Sequence, residues 1–183
     1  MTALTDRRGA AAVPGEGTEP RRDAAVRYLM AGLRIALGWI FLWAFLDKMF
    51  GWGFATETEN AVVNGGSPTE GFLSFATKGP FADFYQSIAG ATWADVLFMA
   101  GLLGIGVALI AGIGIRIAAA AGALLLVMMW TAVLPPENNP FMDDHLIYAG
   151  VLALLALANA GDTWGLGKVW AATPLVRRLP WLK

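Results

Sequence analysis

The sequence predicts an all-α integral membrane protein: a four-helix bundle with short interfacial helices in its first outer connection. Three observations predict it. Hydrophobic residues fill 57% of the 183 positions and charged residues only 15%, well under the ~25% charge of soluble domains. That leaves too little polar surface to cover a water-soluble globule, and a chain this apolar is not disordered. Finally, four apolar runs approach the roughly 20 residues that cross a bilayer.

Residues 1–26 are rich in Ala, Gly, Pro, Arg and Glu and lack an apolar period, so they are expected to form a disordered cytoplasmic tail. The first apolar run, 28–50, begins too far in and runs too long for a cleaved signal peptide. The second run covers 93–113, the third 115–134, and the fourth and shortest 144–160. No change in composition divides them, so 27–170 reads as one membrane domain and 171–183 as a basic, aromatic cytoplasmic tail.

Positive charge sets the expected orientation. Arg7, Arg8, Arg21, Arg22 and Arg27 precede the first run, Arg116 lies between the second and third, and Lys168, Arg177, Arg178 and Lys183 follow the fourth. The third connection has no Lys or Arg. Both termini are therefore expected in the cytoplasm of a multi-pass plasma-membrane protein. Small residues four apart let helix backbones approach closely. Gly32 with Ala36, Ala100 with Gly104, Ala108 with Gly112, Ala118 with Gly122, and Ala149 with Ala153 are the expected contact faces, within the bundle or between copies.

The first outer connection, about 40 residues, is too long to be structureless. Ser67-Pro68-Thr69-Glu70 reads as an N-cap, a first-turn proline and a capping-box glutamate. A short helix through Phe72, Phe75 and Ala76 should follow. Gly79-Pro80 should end it and start another, with Phe81, Phe84, Tyr85 and Ile88 on one apolar face. These helices would lie on the outer membrane surface or form a lid on the bundle.

Several classes of chemistry are excluded. There is no cysteine, which removes thiolate nucleophiles, disulfide exchange and cysteine-held clusters. One histidine cannot build a multi-histidine metal site. A net charge of −1 gives no field for nucleic acid. Neither a metal nor a covalent cofactor is expected. Glu137 with Asp143, Asp144 and His145 lacks the spacing of a known metal site.

The remaining candidates are ionisable groups at or inside the spans, where burial in hydrocarbon costs roughly 2.5–3.5 kcal/mol or more. Arg27, Arg34, Phe41 and Lys48 recur every seven residues on one side of the first helix. That stripe would hold an anion or a quinone carbonyl, unless Arg34 and Lys48 simply reach to the headgroups. Asp47, Asp95, Asp143, Asp144 and His145 all map to outer ends, where they would meet near Lys48 and relay protons. The plainer reading of Asp95, Asp143 and Asp144 is helix capping, and that of His145 a hydrogen bond to a loop carbonyl. Most tryptophans, Trp43 among them, fall near interfaces, while Trp39 and Trp130 are expected deeper, as bundle core or beside a quinone ring.

Several of these residues carry a family resemblance. Arg34-Ile-Ala-Leu-Gly38 and Lys48 resemble the first helix of the DoxX-like membrane family. The Gly-rich second run and the Gly114-Ile-Arg116 turn into an Ala-rich third run are also similar to it. The acidic, aromatic first connection, the segment from Asn138-Asn139-Pro140-Phe141 to Asp144-His145-Leu-Ile-Tyr148, and Gly165-Leu-Gly167-Lys168 resemble its DoxD branch. The likeness covers about residues 27–170. It departs at Phe45, where many members have glycine three residues before the lysine, and at Asp47 beside that lysine.

The resemblance implies a quinone-linked oxidoreductase subunit, because DoxD is the membrane subunit of thiosulfate:quinone oxidoreductase and works with a second subunit. It transfers no catalytic residue. The candidate set is His145, Lys48 and Asp47 for chemistry, with Arg34, Trp43, Asp95, Asp144 and Tyr148 for holding substrate or quinone. Expected partners are the lipid bilayer, membrane quinone, a second oxidoreductase subunit and further copies of the chain. The alternative is a non-catalytic membrane scaffold for redox or stress-defence partners.

Overall fold

The computed structural model describes residues 19–183, which are helical and connected by turns, with no strand among them. Helix α1 runs Glu19–Phe50. It starts upstream of the expected boundary at residue 27, because the Arg- and Ala-rich segment before the apolar run is itself a good helix former. Residues 1–18 of the expected tail lie outside the described residues. At ~1.5 Å per residue α1 is about 48 Å long, more than the ~30 Å of a hydrocarbon core, so a crossing by α1 would leave its charged first turns outside that core.

The first connection winds through short 3-10 turns at Thr58–Asn60 and Val62–Asn64 before α2, Glu70–Phe75, and α3, Ala82–Ser87. The hydroxyl of Ser67 accepts from the Thr69 and Glu70 amides at 3.4 and 3.1 Å, which is N-cap chemistry. Gly79 divides α2 from α3 at φ +76°, and a Cβ there would lie 1.9 Å from the Leu134 carbonyl oxygen. Glycine is thus required where this loop crosses the end of α5.

Helices α4, Thr92–Ala111, and α5, Ile115–Ala132, turn on Gly112 and Gly114, both at positive φ. Helix α6 is Asp144–Leu157. Segments α7, Gly167–Ala171, and α8, Pro174–Arg178, fold back under the bundle. The Trp170 indole donates to the Leu182 carbonyl at 2.8 Å and Lys183 pairs with Asp162 at 3.0 Å, so residues 171–183 are docked rather than trailing.

Three helices, α1, α4 and α5, are long and apolar enough to cross a membrane. The 14-residue α6 is shorter, about 21 Å. Helix α1 packs along α4, α5 along α6, and α4 against α5, around a core including Phe41, Ile105, Leu109, Leu126 and Leu152. The outer faces are apolar too: Trp39 is 50% exposed, Leu97 67% and Leu124 62%. Such faces suit lipid. Trp39 is therefore not bundle core, correcting the depth expected for it.

The close approaches use different small residues from most of those expected. A Cβ on Gly38 would meet Ile110 at 2.9 Å, one on Gly106 the Leu42 backbone nitrogen at 2.7 Å, and one on Gly122 the Leu152 side chain at 2.8 Å. Of the expected pairs, Ala118 with Gly122 is buried in the bundle. Gly32 and Gly104 meet nothing within 4 Å, and Ala36 and Ala100 are exposed. Spacing by four occurs on every face of a helix rich in small residues, so it does not identify the inner one.

Candidate functional site

Beneath α2 and α3 lies a cavity of about 380 Å³, walled by α4 and α5 and reached by the last turn of α1. Phe72 and Leu73 come from α2, Phe84 and Tyr85 from α3, and Trp93 and Phe98 from α4. The two short helices thus cover this cavity. The volume falls in the 300–1,000 Å³ range of small-molecule sites, which are mostly apolar with a few polar groups.

Lys48 is the only charged side chain among the described residues that line this cavity. Its position is forced: it stands in the last turn of α1, where a cation also suits the helix dipole. It has no ion pair or side-chain hydrogen bond among the described residues. The nearby hydroxyls are engaged elsewhere. Thr69 donates to Asp95 at 2.6 Å, and the Tyr85 hydroxyl lies 3.0 Å from the Met128 carbonyl and 2.6 Å from the Thr131 hydroxyl. An oxygen-bearing ligand head inside this space would meet the Lys48 ammonium as its charged donor.

Asp47 sits beside Lys48 in the chain but is turned into the protein, 1% exposed. Its Oδ2 accepts from the Ala55 amide at 2.9 Å, while its buried Oδ1 has no partner among the described residues. Asp95 accepts from both Ser67, at 2.8 Å, and Thr69, tying the loop before α2 to α4.

Arg34 lies at the other end of α1, fully buried. Its guanidinium donates to the carbonyls of Leu109 and Ile110, the orphan acceptors of the last turn of α4, and to those of Thr163 and Trp164. It sits among glycines, since a Cβ on Gly112 would lie 2.9 Å, and one on Gly165 3.1 Å, from its terminal nitrogens. Arg34 joins α1, α4 and the segment after α6 and does not line the cavity. The cationic stripe expected on α1 therefore divides into two separate environments.

His145 forms a third group. Its Nδ1 is 2.8 Å from Asp143 and 3.6 Å from Asp144, and Asp143 also caps α6 through the Leu146 amide. The ligand atoms of the three lie within 4.8 Å of one another. Hard cations take six or more oxygens, so three consecutive residues supply an incomplete shell. Asp143 and Asp144 face a separate open hollow with Lys78 and Glu137. Among the described residues no hydrogen bond or ion pair connects His145 to Lys48, Asp47 or Asp95, so the expected convergence at one mouth is not a contact network.

Trp43 centres an aromatic group on the outer side of α1, with ring centroids 5.8 Å from Trp39, 5.4 Å from Trp52 and 5.1 Å from Phe54. Tyr148 is half-buried against the core. Neither lines the cavity. Sequence reasoning misses Tyr85 and Thr69 as anchors of the cover. Tyr85 is legible as one of an apolar face, but its hydroxyl's partners on α5 are not. Comparisons with family models, curated proteins and solved structures give no match.

Proposed function

We propose that this chain is a multi-pass subunit of a quinone-linked oxidoreductase in the plasma membrane, holding the quinone head beneath α2 and α3. In this reading α6 is the fourth crossing and both termini are cytoplasmic. The observation that carries it is Lys48, the one charged side chain among the described residues lining a mostly apolar, aromatic-walled cavity at the end of a membrane-length helix. An ammonium donates well to a ring carbonyl, and flat rings pack well on the Phe and Trp walls.

Reduction gives the quinone two electrons and two protons. The electrons come from a sulfur anion on the outer side, as when two thiosulfates give up one electron each and join through a new S–S bond, and the two protons come from water. The chain has no cysteine and one histidine, so a second subunit is expected to deliver the electrons. Lys48 binds and orients the acceptor oxygen.

The test is thiosulfate-dependent reduction of a quinone analogue in membranes containing the protein and its copurifying subunits. Lys48→Met should cut the rate at least about ten-fold, near 1.4 kcal/mol. Rates equal to those of empty membranes would remove this function.

The second reading, a non-catalytic scaffold, is favoured by the outward small residues Gly32, Ala36, Ala100 and Gly104. Copurification of a redox partner with no quinone turnover would select it.

A further inference from the structure

We infer that the cavity opens sideways into the bilayer, so that a long-chain quinone lies with its head at Lys48 and its tail in a furrow between α4 and α5. This rests on the quinone reading and adds the substrate's chain and its route of access.

The lining is elongated. It leaves Lys48 and the cover and runs down α4 from Trp93 past Leu97 and Gly101 to Ile105. That stretch is about 18 Å at ~1.5 Å per residue. Ala121 and Leu124 of α5 form the facing wall. The flanks are open: Leu97 and Leu124 are mostly exposed on faces of two membrane-length helices. At that depth the surroundings are hydrocarbon, and an apolar furrow there takes an apolar chain.

Width comes from small residues. Gly101 lines the furrow, and a Cβ there meets nothing within 4 Å. The glycine is therefore not serving a helix contact, unlike Gly106, whose Cβ would strike Leu42. Charge is confined to the covered end, at Lys48. A furrow with a donor at one end and no polar group along its length selects a molecule with an oxygen-bearing head and a long hydrocarbon tail.

The test uses the full chain in nanodiscs with two probes, a long-chain prenylated quinone and a quinone with a short, unprenylated side chain. Binding is read by tryptophan quenching. Gly101→Leu puts a side chain into the furrow from a position where a Cβ meets nothing within 4 Å, and Ala121→Leu narrows it from the other wall should the first variant fold poorly. Each is expected to weaken the prenylated quinone about ten-fold, roughly 1.4 kcal/mol, and to hold the short one within about two-fold. Lys48→Met should weaken both. Unchanged prenylated-quinone binding in both furrow variants would overturn the furrow while leaving the head site standing. A phospholipid that copurifies with the protein, is lost on Gly101→Leu and is not displaced by quinone would also overturn it. Absence of binding by either quinone would instead overturn the function proposed above.

Discussion

Thr69 donates its hydroxyl proton to Asp95 at 2.6 Å, joining the start of α2 to the first turn of α4. The same carboxylate oxygen accepts from Ser67, and on the opposite wall Tyr85 binds the end of α5 through Met128 and Thr131. The cover over the cavity is thus fastened to both helices that wall it.

A double-mutant cycle between Thr69→Val and Asp95→Ala is expected to show coupling on the order of 1.5–3 kcal/mol, as for hydrogen bonds to a charged group. Unfolding in mixed micelles measures it. Zero coupling would mean the cover is held by packing alone. Tyr85→Phe should loosen the other side by about 1 kcal/mol.

Arg34→Ala leaves four backbone carbonyls without their common donor. At ~1–3 kcal/mol per unsatisfied group, the loss is expected to exceed about 3 kcal/mol and to lower the yield of folded protein. Arg34→Lys should recover only part, since an ammonium has three donors and no planar fork. Thermal unfolding in detergent, with size-exclusion profiles, reads both. Full stability of Arg34→Lys would show that charge alone suffices.

Gly106→Ala places a methyl 2.7 Å from a backbone nitrogen of α1, which cannot give way cheaply. It should destabilise by about 1–3 kcal/mol. Gly32→Ala and Gly104→Ala, with open space around them, should be neutral or stabilising by up to ~1 kcal/mol through helix propensity. Equal effects at all three sites would contradict the packing of α1 on α4. Dimer loss confined to Gly32→Ala or Gly104→Ala would instead show the outward face at work between copies.

The chain has no cysteine, so single cysteines report topology directly. Glu57→Cys and Asn138→Cys should react with an impermeant maleimide from outside, and Lys168→Cys only after the membrane is opened. Reaction of Lys168→Cys from outside would mean that α6 does not cross.

Asp143→Ala removes the α6 cap and the hydrogen-bond partner of His145. A loss of about 1 kcal/mol is expected. No loss would show that Asp144 takes over the cap.

Much of this architecture is legible in the amino-acid sequence. The ends of α4 and α5 fall within a few residues of the apolar runs, because a change from apolar to turn-forming residues marks them. Ser67 to Glu70 and Gly79-Pro80 locate the two short helices through chemistry that is local in sequence. The inner faces are less legible. Gly32 and Gly106 look alike in sequence, and only the partner helix tells them apart. The partners of Arg34 are hidden for another reason: carbonyls belong to every residue, and the glycines that admit the guanidinium lie at 112 and 165, far from it in the chain. Asp47 and Lys48 are neighbours in sequence, yet helical rotation sends one into the protein and the other to the cavity.

The guanidinium of Arg34 has a bearing on how the protein is made. Two of its four acceptors, the carbonyls of Thr163 and Trp164, are supplied by residues synthesised long after α1 has left the ribosome. A nascent chain that already holds Leu109 and Ile110 but not residue 163 leaves the Arg34 guanidinium with half of these acceptors missing. Joining α1 to residues 163 and 164 is thus a late closing step of folding, and a nascent chain halted before residue 163 should be a ready target for quality-control proteolysis.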